Sequence, residues 1–313
     1  MRKRSTGSSY PAREGEWVGF RVSHSGRTPP NSIEAIRRRT QDALQAMGID
    51  PRRSWGQNFL VDPVVPDAEA ALVDLPPGSS VVEIGGGLGD LTRALLNRGF
   101  KPLKIIEIDD RLAAFLETNF HDRVTVIVGD ALKVPLPKAQ AYVGNLPFST
   151  SAPIMERLLE EGIEHGVFLI QKELAERLTS TPGHRSYGPL SVLTRVHGEF
   201  VVAVKVPSES FFPPPKVEGA LVVFRRSPLD PQPADLGVLK ELLAGLFTWR
   251  RKTLTHAVPK ILPKFIDGAP DDVLRVSGWP ETWRTMRAEE ISPEDYVRLA
   301  NVIRAKHQAY MAK

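Results

Sequence analysis

The stretch Val81-Val82-Glu83-Ile84-Gly85-Gly86-Gly87-Leu88-Gly89-Asp90 joins an apolar segment to a glycine-rich loop. The apolar part predicts a buried strand, and a helix is expected to begin at Asp90. Glycines allow the backbone of such a loop to adopt positive φ and to approach a ligand closely, beside the N-terminus of the next helix. This order of elements predicts a ligand site at the carboxyl end of the strand.

Apolar segments and helical patterns alternate along the chain after this loop. Continuous apolar strands that alternate with helices predict a mostly parallel sheet covered on both faces, so the expected fold class is α/β. The last two strands flank a Pro-rich connection and are expected to form an antiparallel hairpin at the sheet edge. The expected strands span residues 79–85, 103–109, 124–130, 142–146, 166–171, 201–206 and 220–224.

The 313 residues are enough for one domain of ordinary size and one small domain. The first residues are rich in Ser, Gly, Pro and Arg without an apolar period, which predicts disorder. A Pro-rich linker at 228–233 precedes an amphipathic helix at 236–247, for which Asp235 is the expected cap. The expected parts are a disordered basic extension (1–30), an α/β domain (31–228) and a small helical domain (229–313).

The composition excludes several classes of site. Cysteine is absent, so the chain has no disulfide framework, thiolate metal site or cysteine nucleophile, which fits a reducing cytoplasm. We expect no membrane segment, because no apolar run is long enough to span a bilayer. The net charge is +4, and residues 1–30 hold six Lys or Arg against two Glu. Basic ends around a slightly acidic centre indicate a polyanionic partner, with ordinary surface charge as the alternative.

Acidic residues at the ends of the predicted strands indicate which ligand the loop binds. Asp90 stands where the dinucleotide fingerprint has its third glycine, and a carboxylate there repels a pyrophosphate but tolerates a cation. This favours S-adenosylmethionine over a nicotinamide dinucleotide. Glu107 suits the two hydroxyls of a ribose, and Asp130 suits an adenine amino group. A tight turn without a ligand, and helix caps for the acids, are the alternatives.

A second turn, Gly144-Asn145-Leu146-Pro147-Phe148, follows the fourth predicted strand. Proline stiffens the turn, which places an amide and an aromatic ring at the sheet edge. Asn145 and a backbone carbonyl can accept hydrogen bonds from an exocyclic amine, and Phe148 can stack on a nucleobase. A turn-forming Asn and a core aromatic are the alternatives for these two residues.

The motifs occur in an order that resembles a known family over roughly residues 32–305. The chain resembles the small-subunit ribosomal RNA adenine dimethyltransferases of the KsgA type. Any one motif is moderately specific, whereas the ordered set is highly specific. The residues that carry the resemblance are Gln57-Asn58-Phe59-Leu60, the glycine loop with Leu91-Thr92, Glu107-Ile108-Asp109, Gly129-Asp130, Asn145-Leu146-Pro147-Phe148, Gln171-Lys172-Glu173, Tyr187-Gly188-Pro189-Leu190-Ser191-Val192, Phe211 with Pro213-Pro214-Pro215-Lys216-Val217, and Arg250-Arg251-Lys252-Thr253.

The resemblance implies a class I methyltransferase (Rossmann-like) fold with a seven-stranded sheet and a small helical C-terminal domain that binds RNA. It implies an enzyme that uses S-adenosyl-L-methionine and dimethylates two adjacent adenines near the 3′ end of small-subunit rRNA. We also expect the enzyme to be a monomer and to bind no metal. Gly219 departs from the family, which commonly has Ser there, and the sequence offers no interpretation of it. The implied donor contacts are Asn58, Leu60, Gly85, Gly87, Glu107, Asp130 and Asn145.

The expected catalytic residues are Asn145, Leu146, Phe148 and Phe211. The Asn145 amide and the Leu146 carbonyl are expected to accept from the target amine and to pull it towards sp³ geometry. Phe148 is expected to stack on the flipped base, and Phe211 to close its other face.

The basic run Arg250-Arg251-Lys252 is expected to contact RNA phosphates, with a helix-dipole role as the alternative. Further candidates for phosphate contacts are Arg52, Arg53, Arg185 and the 1–30 extension.

Three other functions compete with this interpretation. A large-subunit rRNA methyltransferase of the macrolide-resistance type shares the glycine loop and the Asn-x-Pro-aromatic turn, although it more often has Ile at the position of Leu146. A non-catalytic ribosome-assembly factor would keep the fold without the chemistry, which the presence of Glu107, Asp130 and Asn145 disfavours. A nicotinamide dehydrogenase is disfavoured by Asp90.

Overall fold

The computed structural model describes residues 32–51, 57–262, 265 and 281–311. The predicted extension at 1–30 and the candidate RNA contacts Arg52 and Arg53 lie outside these residues. Within the described part of the chain, no helix is both long and apolar enough to cross a membrane.

A seven-stranded sheet forms the centre of the α/β domain. In chain order the strands are β1 (Phe59–Leu60), β2 (Val81–Ile84), β3 (Leu103–Glu107), β4 (Val124–Val128), β5 (Ala141–Asn145), β6 (His165–Gln171), β7 (Gly198–Val206), β8 (Phe211–Phe212) and β9 (Gly219–Arg226). The strand order in the large sheet is β4-β3-β2-β5-β6-β9-β7. The first five of these strands pair in parallel, and β9 runs antiparallel to both β6 and β7. The predicted fold class and the antiparallel edge pair are confirmed.

Within the described residues, ten α-helices flank the sheet or form the C-terminal part of the chain. They are α1 (Ile33–Ala46), α2 (Val64–Leu72), α3 (Asp90–Asn97), α4 (Asp110–Phe120), α5 (Ser151–Glu160), α6 (Lys172–Leu178), α7 (Pro189–His197), α8 (Leu236–Thr248), α9 (Leu254–Ile261) and α10 (Pro293–Met311). Side-chain caps fix several of the starts, because they satisfy backbone N–H groups that lack a partner in the first turn. The predicted cap Asp235 accepts from the Val238 N–H at 3.2 Å, and Asp109 caps α4 through the Arg111 N–H at 2.9 Å.

Alternating side chains of the strands supply two hydrophobic layers, one on each face of the sheet. Val81, Val143 and Val167 are buried in one layer, and Val82 and Phe168 are buried in the other. Neighbouring positions of one strand point to opposite faces, which is why a doubly covered strand is apolar at every position. Helices therefore have to lie on both faces, and the ligand site is left to the strand ends.

The helices α8, α9 and α10 share a separate core with α7, which lies before the predicted linker. Tyr187, Val192 and Val196 are buried in this second core. The Tyr187 hydroxyl also donates to the Ile291 carbonyl oxygen at 2.7 Å. The helical core thus extends into the sequence before residue 229.

A two-stranded sheet formed by β1 and β8 lies beside the large sheet. The registers pair Phe59 with Phe212 and Leu60 with Phe211. The Arg37 guanidinium on α1 donates to the Glu209 carbonyl oxygen at 2.9 Å, just before β8. The segment expected to contact the methyl donor and the segment expected to contact the target base are therefore directly hydrogen-bonded.

Candidate active site

A cavity of about 340 Å³ opens at the carboxyl edge of the parallel strands. The edge brings distant residues together, because the Gly85 N–H donates to the Ile106 oxygen and the Gly129 N–H donates to the Glu107 oxygen, each at 2.8 Å. The volume falls in the range of cofactor sites. Every residue predicted to contact the methyl donor lines the cavity: Asn58, Leu60, Gly85, Gly87, Glu107, Asp130 and Asn145.

The glycine loop is fixed to the next strand by a carboxylate. The Gly87 N–H donates to Glu107 Oε2 at 3.0 Å. Gly87 has a φ of 53°, and a side chain added there would point at the Phe59 ring, whose nearest carbon lies 3.7 Å from the position of a Cβ. A positive φ strains any other residue, so glycine is required for the loop to reach Glu107 in this conformation.

Glu107 is buried at the end of β3 and is held by backbone donors. Its Oε1 accepts from the Ile108 N–H at 2.9 Å and from the Asp109 N–H at 3.1 Å. Burial raises the pKa of the Glu107 carboxyl, and the three backbone N–H donors partly offset this. The donors fix the direction of the carboxylate within the cavity.

Asp130 follows β4 and has a structural role as well as a place in the cavity wall. Its Oδ1 accepts from the Leu132 N–H at 2.9 Å, which stabilises the turn after the strand. Lys133 lies 3.6 Å from Oδ2, but its side chain is 82% exposed, so this ion pair contributes little. The turn role and the ligand-contact role predicted for Asp130 are compatible.

The turn after β5 is held rigidly on three sides. The Asn145 Nδ2 donates to the Asn58 oxygen at 3.0 Å, and the Leu146 N–H donates to the Leu169 oxygen at 3.0 Å. The Ser151 hydroxyl, at the start of α5, donates to the Pro147 oxygen at 2.8 Å. The bond from Nδ2 to Asn58 fixes the orientation of the amide, and Oδ1, the only acceptor of this side chain, can accept a hydrogen bond from a ligand.

Phe148 and Phe211 are placed differently, although both are predicted to cover the base. Phe148 is half-buried and lines the cavity. Phe211 is fully buried, is not among the lining residues, and meets the Phe148 ring edge-to-face with centroids 5.9 Å apart. The Phe211 ring lies in the core against Phe148, so this structure does not place it on the other face of the base.

Gly219 explains how Phe211 is accommodated. A Cβ at residue 219 would lie 3.1 Å from both Phe211 Cζ and Leu169 Cδ1. This is tighter than ordinary van der Waals contact, so the glycine leaves the space that the Phe211 ring needs. The departure from the family pattern at this position thus has a packing reason.

A family model described as ribosomal RNA adenine dimethylase matches residues 49–304. The chain belongs to this family. It is 38% identical over 263 residues to the ribosomal RNA small subunit methyltransferase A of Leptothrix cholodnii, an alignment that covers 81% of this chain and 92% of the relative. The recognition made from the ordered motifs is confirmed.

Two solved methyltransferase structures share the fold of this dimethylase family member. A dimethyladenosine transferase from Plasmodium falciparum superposes with a TM-score of 0.67 at 23% identity, covering 77% of this chain and 95% of that one. The 23S rRNA methyltransferase ErmE superposes with a TM-score of 0.59 at 27% identity, covering 79% of this chain and 100% of that one. The predicted class I methyltransferase fold is confirmed.

Two further acids line the dimethylase cavity: Glu83, which the sequence did not single out, and Asp90, which follows the glycine loop. Glu83 lines it from β2, is fully buried, and accepts from the Thr92 hydroxyl at 2.7 Å. Asp90 lines it from the start of α3 and is paired with Arg93 at 3.3 Å. Burial raises the pKa of both carboxyls, in the case of Glu83 to about 8. A lone acid within an apolar strand was the only sequence signal for Glu83.

The three residues predicted to bind RNA lie after α8 in different environments. Arg250 is half-buried, forms an ion pair with Glu289 and donates to the Arg185 oxygen. Arg251 and Lys252 are exposed. Arg250 therefore has a structural partner, whereas its two neighbours present their charge to solvent.

Metal-ligand geometry was not expected for this dimethylase. Among the described residues, no group of three or more His, Asp or Glu could hold a metal ion.

Proposed function

We propose that the enzyme transfers methyl groups from S-adenosyl-L-methionine to the exocyclic amino groups of two adjacent adenines near the 3′ end of 16S rRNA. The observation that supports this most directly is the Asn145 amide, fixed by Asn58 in the wall of a cavity that also contains Glu107 and Asp130. Family membership and the name of the Leptothrix relative support the choice of small-subunit rRNA.

The cavity suits a positively charged nucleoside donor. S-adenosylmethionine supplies an electrophilic methyl carbon on its sulfonium. Glu107 accepts hydrogen bonds from the ribose hydroxyls, and Asp130 accepts from the adenine amino group. Three acids in the wall, Asp90, Glu107 and Asp130, favour a ligand with net positive charge over a pyrophosphate. The same acids disfavour a nicotinamide dinucleotide.

The turn after β5 prepares the target amine for attack. An adenine amine is a weak nucleophile, because its lone pair is delocalised into the ring. Asn145 Oδ1 and the Leu146 carbonyl oxygen accept the two N–H bonds of the amine and favour a pyramidal nitrogen with a free lone pair. Positioning of the reacting atoms supplies most of the rate enhancement. No general base is needed, because the proton leaves the nitrogen after the methyl group has been transferred.

Phe148 holds the flipped base at the cavity mouth. Stacking of a base on an aromatic ring contributes about 1–3 kcal/mol. Phe211 packs edge-to-face behind Phe148 and keeps its ring in place, so we assign Phe211 a positioning role.

Arg251 and Lys252 contact phosphates of the RNA that leads to this base, since both are exposed on the helical domain. Arg250 fixes the segment that carries them through its pair with Glu289. We further propose that the enzyme acts as a monomer in the cytoplasm, where small subunits are assembled.

The test is methyl incorporation into purified immature small and large ribosomal subunits with labelled donor, followed by mapping of the modified nucleotides. We expect two dimethylated adenines in the small-subunit RNA. Modification of the large subunit alone would instead favour the macrolide-resistance type of activity. The 23S rRNA methyltransferase ErmE shares the fold of this chain. Donor binding without methylation of either subunit would favour the non-catalytic assembly factor.

The companion experiment compares Asn145→Ala with Asn119→Ala, which alters an exposed amide on α4. Asn145→Ala should lose methyl transfer while it retains RNA binding, and Asn119→Ala should behave as wild type. Near-normal methylation by Asn145→Ala would overturn the role of Asn145.

A further inference from the structure

Two buried glutamates lie close enough together for the charge of one to raise the pKa of the other. Glu69 on α2 and Glu83 on β2 both have 0% exposure. Both side-chain oxygens of Glu69, and Oε1 of Glu83, are buried without a hydrogen-bond partner. Buried polar atoms are nearly always paired, so three unpaired oxygens on two neighbouring acids require an explanation.

Protonation provides this explanation. Burial raises the pKa of Glu69 well above its ordinary value, and the nearby Glu83 raises it further, while the Gly144 backbone N–H lowers it without completing a good hydrogen bond. Burial also raises the pKa of Glu83, to about 8, and the Thr92 hydroxyl partly offsets this. Burial thus favours the protonated form of both acids when the cavity is empty, and only Glu83 lines the cavity, where a bound ligand can act on it directly.

Charged groups on the elements next to β2 also act on Glu83. Glu107 on β3 and Asp90 on α3 disfavour a negative charge on Glu83. Asp90 is itself paired with Arg93 and lies near Arg39 of α1. The surroundings of Glu83 are therefore acidic, and a positive charge brought into the cavity would be the strongest new influence on its ionisation.

The methyl donor and the product that remains after methyl transfer differ in net charge. S-adenosylmethionine has a sulfonium, an ammonium and a carboxylate, so its net charge is +1. The product has lost the sulfonium charge and is neutral overall. Glu83 lines the cavity, hence the two ligands present different charges to the same carboxyl.

We propose that Glu83 distinguishes the donor from the product by ionising when the donor binds and staying protonated when the product binds. Donor binding breaks the Glu83 O–H bond and releases one proton to solvent. After methyl transfer the sulfonium charge is gone, and Glu83 takes one proton back from solvent. Glu69 is a positioning residue that remains neutral throughout, so that Glu83 faces a hydroxyl and not a second negative charge. This inference rests on the proposed use of S-adenosylmethionine.

Reprotonation of Glu83 would speed the exchange of product for a new donor molecule. A product that binds as tightly as the donor would occupy the cavity between the two methyl transfers to one adenine. Reprotonation of Glu83 removes the charge complementarity that holds the donor, so the product is held less tightly and can be replaced.

The test is isothermal titration calorimetry of the full chain at pH 7 with S-adenosylmethionine and with S-adenosylhomocysteine, in two buffers of different ionisation enthalpy. The buffer dependence gives the number of protons exchanged. Both ligands have an α-amino group that titrates near pH 8, so Glu83→Gln serves as the reference for protons that come from the ligand. We expect wild type to release close to one more proton than Glu83→Gln for the donor and no more for the product.

The pH dependence of affinity provides a second readout. Between pH 6 and 8 the donor affinity of wild type should rise by up to about tenfold per pH unit, after subtraction of the Glu83→Gln profile, while the corrected product affinity stays flat. Glu69→Gln keeps a neutral polar side chain and should retain the proton release. If Glu69→Gln abolishes the release and Glu83→Gln does not, the assignment to Glu83 is overturned.

The outcomes separate this inference from the proposed function. Binding of both ligands with equal proton exchange in wild type overturns the inference alone. Failure of either ligand to bind overturns the proposed donor and the inference together. The comparison of two ligands on the wild-type chain remains decisive even if a glutamate variant does not fold.

Discussion

The side-chain nitrogen of Asn145 donates a hydrogen bond to the main-chain oxygen of Asn58, 3.0 Å away and 87 residues earlier in the chain. The bond joins the turn that follows β5 to the segment that precedes β1. The turn is proposed to accept hydrogen bonds from the target amine, and the segment before β1 lines the cavity proposed for the methyl donor. This hydrogen bond therefore fixes the proposed contact for the target amine relative to the proposed contact for the methyl donor.

Asn145→Asp should therefore impair chemistry much more than donor binding. A carboxylate cannot donate to the Asn58 oxygen and would repel it, so the acceptor atom loses its fixed direction. By analogy with the loss of one positioned hydrogen-bonding group in other enzymes, we expect the single-turnover methylation rate to fall by about 10²–10³-fold. Affinity for S-adenosylhomocysteine should change by less than about tenfold.

Asn119→Asp, an exposed change of the same kind, is the control for Asn145→Asp. A rate within about threefold of wild type for Asn145→Asp would show that the amide is not needed.

Glu107→Gln should weaken donor binding. The carboxylate accepts from Gly87 and, in the proposal, from the ribose hydroxyls, and an amide nitrogen can do neither. Hydrogen bonds to a charged group contribute about 1.5–3 kcal/mol, so the dissociation constant for S-adenosylhomocysteine should rise by about 10–100-fold. Titration calorimetry measures this, with Glu117→Gln on the exposed face of α4 as the control. An unchanged dissociation constant would exclude Glu107 as a ribose contact.

Phe148 and Phe211 should separate into a binding role and a folding role. Phe211→Ala removes a fully buried ring and should lower the free energy of unfolding by about 3–5 kcal/mol in urea denaturation. Phe148→Ala should have a smaller effect on unfolding but should lower kcat/KM for the RNA by about 5–150-fold, equivalent to a stacking energy of about 1–3 kcal/mol. Equal loss of stability in both variants would contradict the stacking role of Phe148.

The sequence was sufficient to predict the sheet and the cavity edge, because each signal there is local. Apolar runs mark buried strands, and in a parallel sheet the residues that follow successive strands must meet at one edge. The acids Glu107 and Asp130 and the amide Asn145 could therefore be grouped without coordinates. Element ends differed from prediction by a few residues, as for β3, which ends at Glu107 and not at 109.

The features that the sequence did not predict depend on contacts between distant residues. The two-residue strands β1 and β8 exist only because Leu60 pairs with Phe211 far along the chain. The aromatic pattern before the prolines is the same whether Phe211 faces a ligand or the core. Arg250 is paired with Glu289, 39 residues away, and nothing in the basic run distinguishes it from Arg251.

Arg251 and Lys252 should contribute to the salt dependence of RNA binding. The double variant Arg251→Gln, Lys252→Gln removes two phosphate contacts, and the slope of log K against log salt should become shallower by about 1.4, since each contact to single-stranded RNA contributes about 0.7. Filter binding or fluorescence anisotropy over a salt series measures the slope. The matched control is Arg38→Gln on α1, whose side chain is 76% exposed. An unchanged slope in the double variant would show that Arg251 and Lys252 do not contact RNA phosphates.

Glu69→Gln should stabilise the protein increasingly as the pH rises. The pKa of Glu69 is raised by burial above its ordinary value of 4.5, so above that pH the unfolded chain loses this proton while the folded chain keeps it. The unfolded state is favoured progressively with rising pH until the folded pKa is reached, and a glutamine removes this effect. The melting temperature of the variant relative to wild type should therefore rise by at least about 2 °C from pH 5 to pH 8. Glu117→Gln, which is exposed, should show no such trend, and a parallel pH profile for Glu69→Gln and wild type would mean that Glu69 is ionised in the folded protein.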